Sequence, residues 1–356
     1  MSSPAQPMAP ASGLQDAPLR HIERRDSGNY RLRINRRHLG TYKTLEEAQQ
    51  ARDTYLAQQV TQEVAPDISI QGVTLNEPLD EQAILDKALS AYRYSNQLDA
   101  RRHDQIVTLD FSPACVVYVA DQHFGNAGTD VARAFTEADI IAEMPQTIVA
   151  TVGDMFDNFI LEKMRAIRFD TPMSIQEEII LGKQYMQRLA PKWRLAVDGN
   201  HDLWTMLMTG MNWQRELIKD ITPTILHDAY DCRVTLRVKG VDFAGRLRHN
   251  WRGRSEINDT HGIEKAARFD QDFVWGVGAH THRSGVVRTF NVAGCNGIAG
   301  LCGSYKRVDS YARQNGYPKP NTSTAIAIIF DAETNSMTGF DNLEMAAKVM
   351  ERLTQK

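Results

Sequence analysis

Cysteine is scarce in this 356-residue chain: four residues, Cys115, Cys232, Cys295 and Cys302, none of them in a CxxC pair. That scatter excludes a zinc ribbon or a disulfide framework and suits core thiols in a reducing cytoplasm. Long apolar runs are missing too. ACVVYVA at 114–120 and AIAIIF at 325–330 are the most extended, far short of the ~18 residues a membrane span needs. Charge of one sign does not accumulate, since the net charge is -3. The chain as a whole is therefore no polycation, and any contact with nucleic acid has to be local. The opening MSSPAQPMAPASG has neither a basic n-region nor an apolar h-region, so residues 1–19 read as a disordered tail and not as a signal peptide.

What is present is the composition of a globular protein, 42% hydrophobic and 24% charged, long enough for one large core plus an appendage. The appendage comes first. Between residues 20 and 43, Arg20, Arg24, Arg25, Arg31, Arg33, Arg36, Arg37 and Lys43 stand against only Glu23 and Asp26. In NYRLRIN the period is two: Arg31 and Arg33 share one face, Tyr30, Leu32 and Ile34 the other, as in a half-buried antiparallel strand. RRHLGTY offers a second strand with Gly40 as a kink. Thr44 and Glu47 then have capping-box spacing, and Leu45, Ala48, Ala51, Tyr55 and Leu56 share a helical face. A three-stranded sheet packed on one helix is predicted for 20–58.

Residues 28–56, with the HLGTY strand and the T-x-EEA-x-x-A helix, resemble the APETALA-type DNA-binding domain. The resemblance implies a sheet lying in the major groove, with Arg31, Arg33 and Arg37 as the contacts to phosphates and bases. The alternative is a solvated appendage whose arginines only keep it soluble. Residues 59–110 read as a linker carrying one helix, 80–102, with Ile84, Leu85, Ala88, Leu89 and Tyr92 on one face.

The rest of the chain repeats one pattern five times: an apolar strand runs into oxygen or imidazole side chains. ACVVYVA leads to Asp121 and His123, and TIVATV to Asp154 with Asp157 three residues on. RLAV leads to Asp198, Asn200, His201 and Asp202, VDFAG to His249, and DFVWGV to His280 and His282. Helices are predicted between them over 130–144, 174–190, with Ser174 and Glu177 as a capping box, and 203–219. In an α/β fold such strand ends gather at one sheet edge, where ligands bind. Asp, Asn and His without Cys suit Mn2+, Fe2+ or Zn2+, and so many donors suit two ions that share a carboxylate. His249 is the loosest assignment, with His227 and His261 as competitors. Asp202 reads either as a partner behind the site or as the N-cap of the following helix, the cap being favoured.

The ordered series D-x-H, G-D-x-x-D, G-N-H-D, H, G-x-H-x-H resembles the calcineurin-like metallophosphoesterases from about Val116 to Phe330. That resemblance implies an α/β fold, a β-sandwich flanked by helices in four αββα layers over 111–356, preceded by the small ββα-type domain. It implies Asp121, His123 and His282 on a first metal, Asn200, His249 and His280 on a second, and Asp154 bridging them. The pair of divalent ions would be Mn2+ first, with Fe2+, Zn2+ or Mg2+ as alternatives, and would generate a bridging hydroxide. His201 would be the general acid, with Asp157 holding its other ring nitrogen. One departure stands out: Ala279 separates Gly278 from His280, where the family has Gly directly before the first His.

Asn158 and Asp202 stand where protein phosphatases of the family carry Arg and Glu, so the motifs resemble the DNA-repair nuclease branch. With the basic front module this implies a DNA phosphodiesterase, an exo- or endonuclease. The rivals are a phosphomonoesterase or cyclic-nucleotide phosphodiesterase tethered to DNA, or a non-catalytic DNA-binding scaffold. The Gly-, aromatic- and Arg-rich stretch 291–320 reads either as a loop over the sheet edge or as a base-stacking platform in which Tyr305, Lys306, Arg307, Tyr311 and Arg313 touch substrate. STAIAIIFD is predicted as a buried strand and LEMAAKVMERL as a closing amphipathic helix. The module combination suggests a cytoplasmic protein of a phage or mobile element. No membrane partner is expected, and a homodimer is compatible with the chain.

Overall fold

In a computed structural model of the chain, the described residues are 21–34, 37–62, 80–103, 105–158, 170–253, 255, 257–292, 294–307 and 323–355. They fall into two compact units, 1–85 and 86–356. The predicted tail 1–19 lies outside the described residues.

In the first unit, period-two patterning gives β1 (Ile22–Arg24), β2 (Tyr30–Ile34) and β3 (Arg37–Tyr42), an antiparallel sheet in the order β1-β2-β3, followed by α1 (Leu45–Gln62). Ile22, Leu32, Ile34 and Ala48 form its small core, with Tyr30, Leu39, Tyr42, Leu45, Ala51 and Tyr55 packed around them. The helix start is closed reciprocally: Glu47 N–H donates to Thr44 Oγ1 at 3.2 Å, and Thr44 N–H to Glu47 Oε2 at 3.2 Å. The β2–β3 register shifts between Leu32 and Arg33, beside Gly40, where a Cβ would come within 2.6 Å of the Tyr42 hydroxyl. Arg33 is exposed and Arg31 half-buried; the side chain of Arg37 lies outside the described set.

The division between units falls inside α2 (Glu81–His103), whose Ile84, Leu85, Leu89 and Tyr92 are all exposed. The apolar stripe predicted there has no cover among the described residues. The second unit then lays down β4 (Ile106–Leu109), β5 (Ala114–Val119), α3 (Val131–Glu143), β6 (Thr147–Val152), α4 (Ile175–Leu189), β7 (Trp193–Val197), α5 (Asn200–Thr209) and α6 (Trp213–Ile221). Next come β8 (Leu226–Asp228), β9 (Cys232–Val238), β10 (Val241–Leu247), α7 (His261–Asp270), β11 (Trp275–Gly278), β12 (Val286–Val292) and β13 (Cys295–Leu301). It ends with β14 (Ile326–Asp331), β15 (Ser336–Phe340) and α8 (Leu343–Thr354).

These strands make two mixed six-stranded sheets, β15-β14-β5-β6-β7-β8 and β12-β13-β11-β10-β9-β4. Every residue of β5 and β6 is buried because both faces are covered, which is why those strands read as unbroken apolar runs. Inward, Val116, Tyr118, Ile148, Val152, Leu195 and Val197 meet Leu236, Phe243, Trp275, Val277 and Ile298 of the second sheet. Outward, Val117, Val119 and Val149 pack under α3, α4, α6 and α8 through Ala138, Ile141, Tyr185, Met186, Ile218 and Met350. On the far side, Ile263 and Ala267 of α7 cover Phe273, Phe290 and Trp251. The result is an α/β fold of two sheets flanked by helices, in the expected αββα layering. Cys115, Cys232 and Cys302 are buried free thiols.

Three expectations change. The span read as linker contributes β4, an edge strand paired with β9, so the sandwich begins before residue 111. The single helix expected over 203–219 starts earlier, at Asn200, and is cut in two by Gly210. That glycine takes a left-handed φ of 74° as the C-cap of α5, after which Asn212 caps α6. Of the glycine-rich stretch 291–320, residues 291–292 and 294–307 are described, and most of them are strand, neither loop nor platform: the end of β12 and all of β13, antiparallel neighbours in which Gly297 and Gly300 leave room for Phe290 and Ile326. Tyr311 and Arg313 lie outside the described residues. Among the described residues no helix is long and apolar enough to cross a membrane.

Candidate metal centre

Strands β5, β6 and β7 are parallel neighbours in the first sheet, β10 and β11 in the second. Their carboxyl ends meet at the seam between the sheets, so the donors come from two sheet edges and not one. To turn side chains toward that seam the backbone leaves the strand abruptly. Asp121 (φ 52°), His123 (49°), Asp154 (54°), His280 (77°) and His282 (52°) all take the left-handed conformation that non-glycine residues avoid. Each such residue costs about 1–3 kcal/mol, and residues of this kind concentrate where function over-determines the backbone. Main-chain bonds hold them: Asp121 N–H to Gly153 O (3.0 Å), His123 N–H to Asp154 O (3.1 Å) and Tyr305 N–H to Asp121 O (3.1 Å).

Two glycines make this approach possible. A Cβ on Gly199 would lie 2.0 Å from Asp154 Oδ1, and one on Gly153 would lie 2.5 Å from Gly199 N, with Gly153 itself at φ 86°. Gly199→Ala is therefore expected to cost at least the ~1–3 kcal/mol of an overpacked core and to displace the Asp154 carboxylate. Thermal unfolding and Mn2+ titration of the variant check this; wild-type values in both would refute the fit described.

The donors converge. Asp121, His123, Asp154 and His282 form one group with ligand atoms within 4.8 Å of one another, and Asp154, His249 and His280 form a second, sharing Asp154. Asp121 Oδ2 accepts the His280 N–H (3.0 Å), and Asp154 Oδ1 accepts the His201 N–H (2.9 Å). The other oxygen of each, and Oδ1 of Asn200, are buried without a hydrogen bond. Asp121 Oδ1 stands 3.9 Å from Nε2 of His123, His249 and His282 alike. His249 Nδ1 pairs with Val152 O at 2.7 Å, which turns Nε2 to 3.0 Å from Asp154 Oδ2, out of hydrogen-bond alignment. His123 Nε2 and His282 Nε2 approach to 3.0 Å, and His280 Nδ1 and His249 Nε2 to 3.2 Å. Lone pairs aimed at a common point and orphaned buried oxygens are what cations would satisfy, since desolvated polar atoms otherwise go paired. The residues fit a pair of divalent ions.

Electrostatics agree. Burial, opposed by His249 and reinforced by Asp154, pushes the Asp121 carboxyl up to about 6. Burial also works against ionising Asp154, but the imidazoles of His249 and His201 outweigh it and hold that group well below the carboxylate range. His249, despite burial, is held up to about 10 by Asp154 and Asp121. Two crowded carboxylates with split proton affinities form a cation-binding environment. His282 is pushed well below its ordinary value by burial, His123 and Lys306, so its ring is a neutral donor.

Around this cluster the expected roles sort themselves. Of the three competing histidines only His249 is in the seam. His227 pairs with Asp198 at 2.7 Å, and His261 is exposed at the start of α7. Ala279 fits: its methyl is buried in the inter-sheet core and its N–H donates to His249 O at 3.0 Å. Asp202 is not the N-cap but the third residue of α5. Its Oδ2 accepts the N–H groups of Gly199 (2.8 Å) and Asp154 (2.7 Å), tying the helix start to the second strand end. Burial, with Asp154 and Asp198 nearby, pushes it up to about 8. His201 stacks on Trp204 with ring centroids 4.0 Å apart. Its Nδ1 meets the backbone oxygen of Asp157 at 2.6 Å and not the expected carboxylate, which turns instead to His123 Nδ1 at 3.2 Å.

The substrate-contact expectations divide as well. Tyr305 is fully buried, its hydroxyl donating to Glu137 Oε2 at 2.6 Å, so it cannot stack on bases. Lys306, next in the chain, is buried and turns its Nζ to Asp157 Oδ1 at 3.4 Å, while Arg307 is exposed and paired with Asp130. Sequence reading missed Asn126 and Thr171, which donate to Asp157 Oδ2 at 2.9 Å each. Neither lies in a motif, although Asn126 sits only three residues beyond His123.

No protein-family model and no curated protein matches the chain. Solved structures do. Chaetomium thermophilum Vps29 aligns with 63% of this chain and 94% of its own at 12% identity and a TM-score of 0.33. Pseudomonas putida nuclease MPE aligns with 63% and 87% at 13% identity and a TM-score of 0.31. The calcineurin-like phosphoesterase YfkN from Bacillus subtilis aligns with 63% and 87% at 10% identity and a TM-score of 0.30. At these values the likenesses carry no functional weight, and what the centre can do rests on its own geometry.

Proposed function

We propose that the chain is a metal-dependent phosphoester hydrolase acting on DNA as a phosphodiesterase. The observation that carries this reading is the pair of donor groups sharing Asp154, with its unpartnered buried oxygens at the seam. Asp121, His123 and His282 would hold one ion, Asn200, His249 and His280 the other, and Asp154 both. Oxygen and imidazole donors without thiolate favour Mn2+, with Fe2+, Zn2+ and Mg2+ as alternatives. When bound, such a pair supplies a water acidic enough to act as nucleophile near neutral pH and neutralises phosphate oxygens.

The chain's own groups do the rest. His123 and His249 each have one ring nitrogen fixed, by Asp157 Oδ1 and Val152 O, so the other faces the seam; His249, held protonated by Asp154 and Asp121, would have to release its Nε2 proton to an ion there. His201 has Nδ1 on Asp157 O, so Nε2 is the ring nitrogen that would carry a proton to the leaving oxygen. Burial, only partly offset by Asp154, lowers that ring to about 4, so it is neutral in the free protein. An anionic phosphoester beside it would raise its proton affinity and make the acid only where it is used.

DNA as the substrate is supported by the first unit, where Arg31 and Arg33 lie on one strand of a sheet whose other face is apolar. The test is incubation with single- and double-stranded DNA in Mn2+, Mg2+ or chelator, followed by end-group analysis. Bis-p-nitrophenyl phosphate and p-nitrophenyl phosphate are run alongside. Metal-dependent cleavage of DNA and of the diester is expected. Hydrolysis of the monoester alone would replace this reading with a phosphomonoesterase, and no hydrolysis with a scaffold. Arg31→Ala and Arg33→Ala should weaken DNA binding across sequences and reduce its log–log salt slope by about 1 for each phosphate left without its arginine.

A further inference from the structure

The Asp157 carboxylate is buried and receives four side-chain donors: His123 Nδ1 (3.2 Å) and Lys306 Nζ (3.4 Å) on Oδ1, Asn126 Nδ2 (2.9 Å) and Thr171 Oγ1 (2.9 Å) on Oδ2. Those donors are themselves fixed. Asn126 Oδ1 accepts the Gly128 N–H at 2.8 Å. Lys306 bridges to Thr129 through its backbone and donates its N–H to Ser304 Oγ at 3.0 Å. His201 is reached from Asp157 by a different atom, the main-chain oxygen, at 2.6 Å. That oxygen is set by the backbone, since Asp157 N–H donates to Phe124 O at 2.9 Å.

We infer that the Asp157 side chain is a positioning residue for His123 and its metal ion, with Lys306 as the cation that keeps it in place, and that it does not hold His201. The inference rests on the metal-centre reading above. A carboxylate on Nδ1 selects the Nδ1–H tautomer and leaves Nε2 as the lone pair that faces Asp121, Asp154 and His282. A tautomer with the proton on Nε2 has no donor electrons there. The two histidines therefore depend on separate atoms of one residue, and a side-chain replacement separates them.

Asp157→Asn keeps the shape, removes the charge and sets an amide among four donors. Calorimetric titration of the metal-free variant with Mn2+ is expected to show one ion weakened on the order of 10- to 100-fold, the effect of losing an outer carboxylate, and the other unchanged. Long-range proton–nitrogen spectra of the imidazole rings, recorded without metal, should show His123 shifting from the Nδ1–H form to a tautomer mixture while His201 stays as in wild type. Wild-type affinity at both ions, or a change at His201 with none at His123, overturns the proposal. Should Asp157→Asn fail to fold, Thr171→Val removes one donor from the same carboxylate at a half-buried position. It should weaken the same single ion, and unchanged affinity there also overturns the proposal. Wild-type protein that takes up no Mn2+ defeats the metal-centre reading instead, and the metal-free spectra still decide which ring the carboxylate holds.

Discussion

Asp154→Asn is expected to empty both halves of the centre at once. Loss of an outer partner costs roughly 10- to 100-fold in affinity, but Asp154 belongs to both donor groups, so its effect should exceed that range at each ion. The variant should still fold. Asn preserves an acceptor for the His201 N–H, which Asp154 Oδ1 now takes at 2.9 Å, and what the change at Oδ2 removes is the 3.0 Å charge contact with His249 Nε2, whose ring can lose its proton in compensation. Mn2+ titration, run beside a thermal melt without metal, reads both quantities. If one ion still bound with wild-type affinity, Asp154 would not be shared, and the centre would be mononuclear with spare histidines around it.

His201→Ala should behave in the opposite way, keeping the ions and losing turnover. None of the hydrogen bonds that orient His123 or His249 involves the His201 ring, so metal affinity should remain near wild type. A general acid contributes ~10²–10⁴-fold, and the loss should fall in that span with a diester whose leaving group needs a proton. The pH dependence carries a sign. With the free ring lowered to about 4, the protonated form declines as pH rises past that value, so kcat/KM should fall on its alkaline side from low pH. Bound phosphate opposes the loss of the proton, so the matching fall in kcat should lie at higher pH. Profiles that coincide would mean that His201 does not carry the proton.

How far this was legible in the sequence depends on what kind of information each feature carries. Strand ends declare themselves because an apolar run stops at Asp, Asn or His, and the capping pairs Thr44–Glu47 and Ser174–Glu177 mark helix starts by local chemistry alone. The β9 strand went unread although CRVTLRV alternates, with Val234, Leu236 and Val238 buried, because it bears no ligand and so marks no site. Other features depend on non-local contact. Whether Tyr305 or its neighbour Lys306 faces the cluster is set by the bridge from Lys306 to Thr129 and by the buried Glu137 that takes the Tyr305 hydroxyl. The direction of the Asp157 carboxylate is likewise set by partners at 123, 126, 171 and 306, a set with no linear spacing. Left-handed backbone at Asp121, His123, Asp154, His280 and His282 leaves no compositional trace, because glycine, its usual marker, is absent from those positions.

The seam has a thermodynamic corollary. Three of the strands that supply donors belong to one sheet and two to the other, so sliding the layers apart disperses the cage and sealing them assembles it. Ion capture would then be linked to closure of the sandwich, adding to the apolar core between the sheets a stabilisation that grows with free cation concentration.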